Sequence, residues 1–161
     1  MNLEKTLIKK ENLGNLEKVL NSLHSDHQHS LELCWAIRVG IKQKIDPDRI
    51  KNYADWYYSN ELAAHFEMEK EHIFPILGME NELVKKALTL QRKIKKHFTK
   101  NILIEKSLSR IEEDLEILIR FEERNIFAFI RNKMPSNQII ASLKNYSPEP
   151  NSQQWNDRFW Q

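Results

Sequence analysis

Apolar residues recur every three or four positions along most of this chain, and the recurrence falls into four long stretches and a short fifth. The first runs roughly from Asn15 to Gln43, with Leu16, Leu20, Leu23, Leu31, Cys34 and Ile37 on one stripe. The second runs roughly from Pro47 to Leu77, behind Asp46 as N-cap and Pro47 at the first helical position. Gly78 suits its C-terminal end, and Pro75 predicts a kink or an early stop in its last turns. The third runs roughly from Glu80 to Thr99, with Val84, Ala87, Ile94 and Phe98 on one side. The fourth runs roughly from Lys106 to Lys133, carrying Ile111, Leu115, Leu118, Ile126 and Phe129. Beyond Met134 and Pro135, "SNQIIASLKNY" predicts a short fifth helix. Short connections make consecutive long helices antiparallel neighbours. The expectation is all-α: an up-down-up-down antiparallel four-helix bundle with a short C-terminal fifth helix and a tail. The bundle domain is placed at residues 1–147. The tail, 148–161, is expected to dock on it through Trp155, Phe159 and Trp160.

Each stripe is broken by a polar residue. His27 interrupts the first, His65 and Glu69 the second, Gln91 the third and Glu122 the fourth. Burying a carboxylate is costly unless a partner compensates it. The interruptions also repeat. Laying Leu62 on Leu115 sets Glu69 on Glu122, Ile73 on Ile126, Phe74 on Phe127 and Leu77 on Ile130. "FEMEKEHIF" and "IRFEERNIF" are thus two versions of one pattern. Residues His65 and Glu69, four apart, project from one helix face. Two imidazoles and two carboxylates converging in a bundle core make a plausible site for iron, zinc or manganese, whose charge would compensate both glutamates. Protonated glutamates, or glutamates paired with Lys or Arg, are the alternative.

Composition narrows the function classes. With 25 basic against 23 acidic residues the net charge is only +2, which calls for neither nucleic acid nor an anionic membrane. No apolar run approaches a membrane span, and "MNLEKTLIKKENLG" lacks the apolar core of a secretory signal. The single cysteine, Cys34, excludes a disulfide within the chain and suggests a cytoplasmic setting. Cys34 lies on the core stripe, where a thiol is inert. There is no Gly-rich phosphate loop and no Cys-x-x-Cys pattern. The basic stretch "LQRKIKKHFTK" reads as a solvated helix face or a surface for a protein partner.

The phrases "SDHQHSLELCWAIR", "HFEMEKEHIFPIL" and "IRFEERNIF" resemble the hemerythrin-like, or HHE cation-binding, domain family over roughly residues 16 to 135. The resemblance implies a four-helix bundle around a di-iron centre. Its pattern has one His on the first helix, His-x-x-x-Glu on the second, one His on the third and His-x-x-x-Glu on the fourth. His27, His65, Glu69 and Glu122 match. Gln91 stands where the third-helix histidine belongs, and Leu118 where the fourth-helix histidine belongs. His97, about 240° around the helix from Gln91, is a poor substitute. His24, one turn before His27, is a candidate auxiliary ligand, as is Gln91. In the family the first two helices serve one iron and the last two serve the other. The expectation is therefore a degenerate centre holding at most one ion, iron or zinc, in binding or sensing, with a small diatomic ligand if the ion is iron. A metal-free structural or interaction bundle stays open. So does a ferritin-like di-iron enzyme, which needs Glu-x-x-His pairs: Glu69 with His72 is one, but Asn125 stands at that spacing from Glu122.

Overall fold

The computed structural model describes residues 3–100, 102–132 and 154–161. Among them the regular structure is entirely helical, in four long elements. Helix α1 is Leu3–Lys42. Helix α2 spans 47–77 as the continuous segments Pro47–Tyr57, Tyr58–Leu62, Ala63–Met68, Glu69–Ile73 and Phe74–Leu77. Helix α3 is Glu82–Thr99. Helix α4 spans 104–132 as Ile104–Phe121, Glu122–Phe127 and Ala128–Asn132. The fifth helix expected at "SNQIIASLKNY" and the boundary at residue 147 lie outside the described residues.

Local chemistry sets the ends of the helices. Asp46 caps α2, its side chain accepting the Asp48 N–H at 3.0 Å, with Pro47 behind it at the first helical position. Gly78 follows Leu77 with φ 93°, a backbone region that penalises a β-carbon. Asn81 caps α3, accepting the Leu83 N–H at 2.8 Å. One boundary departs from the periodicity. Helix α1 begins at Leu3 rather than near Asn15, and Leu3 and Leu7 are exposed. Apolar spacing marks where a helix is packed, and at Leu3 and Leu7 there is no packing for it to mark. No proline interrupts it, and Gly14 costs only about 1 kcal/mol in a helix interior.

Cross-helix contacts fix the packing directions. On α1, positions 27 and 38 rise while their partners on α4 fall: His27 meets Glu122 and Glu123, and Arg38 meets Glu112 and Glu116. Against α2, Asp26 meets His65 and Ser30 meets Tyr57, again in opposite order. The neighbours are antiparallel, as expected for a bundle. Its core is one continuous cluster that includes Leu20, Leu23, Ile37, Leu62, Ile73, Phe74, Ile94, Ile111 and Phe127. Burying each such side chain contributes roughly 1.5–3 kcal/mol, so the fold tolerates a few polar intruders.

The C-terminal aromatics pack at one end of the bundle. Phe159 and Trp160 are buried, and the Trp160 ring stacks 4.5 Å from Tyr53. The Arg49 guanidinium donates to both carboxylate oxygens of Asp157, at 2.7 and 2.6 Å. Gly40 makes room for this seam: a β-carbon there would lie 2.7 Å from Ile50 Cδ1 and 2.9 Å from Phe159 Cε2.

Candidate metal centre

Two helical irregularities frame the centre. Glu69 opens one π-helical turn, Glu69–Ile73, and Glu122 opens another, Glu122–Phe127. The Phe74 N–H reaches back five residues to the Glu69 carbonyl. Such turns widen the helix by one residue and recur at functional sites. The repeat legible in "FEMEKEHIF" and "IRFEERNIF" is thus also a repeat of backbone geometry, with a glutamate at the same place in each turn. The first π turn directly precedes the Phe74-Pro75 step, where Pro75 has no N–H to give. The helix then ends at Leu77, as Pro75 and Gly78 together predict.

His27, His65, Glu69 and Glu122 come together. Each offers one ligand atom, and the four atoms lie within 4.8 Å of one another. All four side chains are buried, with Glu69 at 0% exposure and Glu122 at 1%. His27 Nε2 lies 3.1 Å from Glu122 Oε2. His65 Nε2 lies 3.0 Å from Glu69 Oε1, a charge-pairing distance without hydrogen-bond alignment. A metal held by four ligands at about 2.0–2.1 Å separates them by about 3.4 Å when tetrahedral. The set therefore closes on an ion by small side-chain movements.

Outer carboxylates orient both imidazoles. Glu123 Oε1 lies 2.8 Å from His27 Nδ1, and Asp26 Oδ2 lies 3.0 Å from His65 Nδ1. With Nδ1 engaged outward, Nε2 of each ring faces the glutamates. Metal-bound histidines use this arrangement to fix their tautomer and raise their basicity. Phe127 stacks flat on His27, ring centroids 5.1 Å apart and 1° between planes, which pins that ring further. Asp26 and Glu123 escape a reading based on ligands alone. Their only signal in the sequence is adjacency: Asp26 precedes His27 in "SDHQHS", and Glu123 follows Glu122 in "RFEER".

The auxiliary candidates sit differently. His24 does not join the cluster; its side chain is 52% exposed and its Nδ1 lies 2.9 Å from Glu123 Oε1. It therefore acts one step out, on the carboxylate that holds His27. Gln91 does reach the centre, donating from Nε2 to Glu69 Oε1 at 3.3 Å. Leu118 is buried and apolar where a second histidine would stand. His97 is buried against Asp114 on another part of the α3–α4 seam, 2.6 Å from Nε2 to Oδ2. His72, the partner of Glu69 in a ferritin-like pair, is 29% exposed and outside the cluster. That pair does not assemble: both residues lie in the π turn Glu69–Ile73, whose wider winding takes i and i+3 off a common face.

Electrostatics couple the four groups. Burial alone would push His27 down, but hydrogen bonds to Glu122 and Glu123 and the Glu122 and Glu69 charges carry it up to about 9. Burial opposes the same rise in His65, which the Glu69 charge, Asp26 and Glu122 carry up to about 10. Glu122 is pushed up to about 8 by burial and by the charge of Glu69. Glu69 is held below its ordinary value despite burial, chiefly by His65. Free of an ion, the cluster balances its charge by holding protons. In that state Glu69 and Glu122 hydrogen-bond to each other, while Gln91 Oε1 is buried with no hydrogen-bond partner. Two carboxyl groups this close in a core are costly unless a proton or a cation lies between them, so the pair fits a cation.

No protein-family model, curated protein or solved structure matches this chain. The site is therefore argued from its own geometry.

Proposed function

We propose that this protein is a hemerythrin-like bundle that binds one metal ion, iron or zinc, through His27, His65, Glu69 and Glu122, and acts in binding or sensing. One observation carries the reading: four buried ligand atoms within 4.8 Å of one another, their two imidazoles each oriented by an outer carboxylate. Gln91 and Leu118 support a single ion over two, since glutamine is a weak neutral ligand and leucine is none. Bound iron would supply a redox-active Lewis acid able to take a small diatomic ligand, and zinc a redox-silent one. Around either ion, His27 and His65 supply neutral nitrogen once their protons leave. Glu69 and Glu122 supply negative charge, and Phe127 helps exclude water.

Reconstitution with ferrous iron or zinc, followed by elemental analysis, tests this directly. One tightly held ion per chain is the expected result, and its loss in Glu69→Gln is the second. Two ions per chain would overturn the single-site reading. No bound ion would favour the other reading, which the 3.1 Å and 3.0 Å His–Glu contacts motivate: a metal-free bundle whose centre is a network of internal ion pairs. In that case Glu69→Gln leaves the metal content at zero and changes only stability.

A further inference from the structure

The α3–α4 seam carries a second polar site, six residues or about 9 Å along α3 from Gln91. A cleft of about 370 Å³ opens there, lined by Lys93, Lys96 and Lys100 of α3 or its end and by Arg110 of α4. Two carboxylates, Glu113 and Asp114, share it. Asp114 is already engaged: His97 Nε2 lies at 2.6 Å and Lys93 Nζ at 3.6 Å. Lys96, Lys100 and Arg110 form no ion pair among the described residues. The cleft therefore carries two positive charges in excess. His97 forms part of its wall and is 4% exposed. Its Nδ1 is buried without a hydrogen-bond partner. A solvated lysine face explains neither the cleft nor a buried imidazole with one nitrogen unsatisfied.

The geometry points to a binding site for a small phosphomonoester, held by Lys96, Lys100 and Arg110 against a wall that includes the His97–Asp114 pair. A phosphomonoester carries about −1.5 to −2 charge near neutrality, which matches the excess. Its oxygens can take the planar Arg110 fork and the lysine ammonium groups together. The volume exceeds that of a bare phosphate and falls in the range of small-molecule sites, leaving room for the organic part of an ester. Asp114 orients His97, and the net positive charge of the cleft favours an anion over a neutral ligand.

Titration calorimetry on the full chain tests the site, with phenyl phosphate, inorganic phosphate and benzoate as probes. The protein is stripped of metal beforehand, so the outcome is independent of the proposed ion. Saturable binding of phenyl phosphate is expected, with inorganic phosphate weaker and benzoate at least tenfold weaker. The double variant Lys96→Gln/Arg110→Gln, at two exposed positions outside the core, should weaken phenyl phosphate at least tenfold. His97→Gln should weaken it severalfold, and the His97 ring resonances should shift on ligand addition. Equal affinity for benzoate and phenyl phosphate would overturn the proposal. So would binding unchanged in the double variant, or no binding at millimolar ligand. A single-stranded oligonucleotide bound far more tightly than phenyl phosphate, steeply salt-dependent and indifferent to His97→Gln, would also overturn it by marking an extended polyanion surface.

Discussion

Helices α2 and α4 are versions of one sequence, yet they do different work. Both place a buried glutamate at the first residue of a π turn, Glu69 on one and Glu122 on the other. Both follow it with an Ile-Phe pair that packs in the core. One turn earlier they part: α2 has His65, held by Asp26, and α4 has Leu118, packed among apolar neighbours. The helix across from each follows suit, with His27 on α1 and Gln91 on α3. One side of the centre therefore has two oriented imidazoles, and the other has an amide and an isobutyl group. The same backbone irregularity is present in both halves, while an imidazole stands beside it in only one. The π turn positions a carboxylate, and the residue one turn before it decides whether that helix also brings an imidazole.

The comparison breaks most completely if the apolar half can be rebuilt. The pair Gln91→His with Leu118→His is expected to raise the stoichiometry from one ion to two per chain, read by elemental analysis. The same pair should destabilise the metal-free protein by roughly 2–4 kcal/mol, because it removes a buried leucine and adds a polar ring. The converse change, His65→Leu, makes α2 resemble α4. It should abolish tight binding, lowering affinity by more than about 100-fold, since even outer-shell losses cost 10–100-fold. Glu123→Ala tests the outer layer: affinity falls by roughly 10–100-fold while the stoichiometry stays at one.

Acidity sharpens the contrast further. In metal-free protein His27 and His65 are raised from 6.5 to about 9 and about 10, so their stabilising contribution is full below pH 6.5. It is lost as pH climbs through 9 and 10. Glu122, raised from 4.5 to about 8, loses its contribution over the same climb, from above 4.5 through 8. Glu69 has the opposite sign: being lowered, its contribution holds above 4.5 and is lost in acid. Thermal unfolding of chelated protein should therefore show stability falling from pH 6.5 to 10. Metal binding must displace those same protons, so affinity should rise with pH over that range. The smallest effect on the centre is expected from Gly40→Ala at the distant C-terminal seam. It should cost roughly 1–3 kcal/mol by overpacking Ile50 and Phe159, with metal content unchanged.

Much of this was legible in the chain alone. Periodicity gave four helices because an amphipathic stripe must be buried, and Asp46, Pro47 and Gly78 gave α2 its limits because caps and breakers act locally. His27, His65, Glu69 and Glu122 stood out because each is polar where its stripe demands an apolar group. The start of α1 did not show, because exposed residues such as Leu3 and Leu7 belong to no packed stripe. Only the tertiary structure decided three further points. It set the π turns at Glu69 and Glu122, whose extra residue leaves no mark in residue type. It brought Asp26 and Glu123 behind the two imidazoles, a pairing across helices that neighbouring positions in sequence do not specify. And it sent His24, His72 and His97 elsewhere, because a side chain's direction depends on helix rotation, which is settled only when the helices pack.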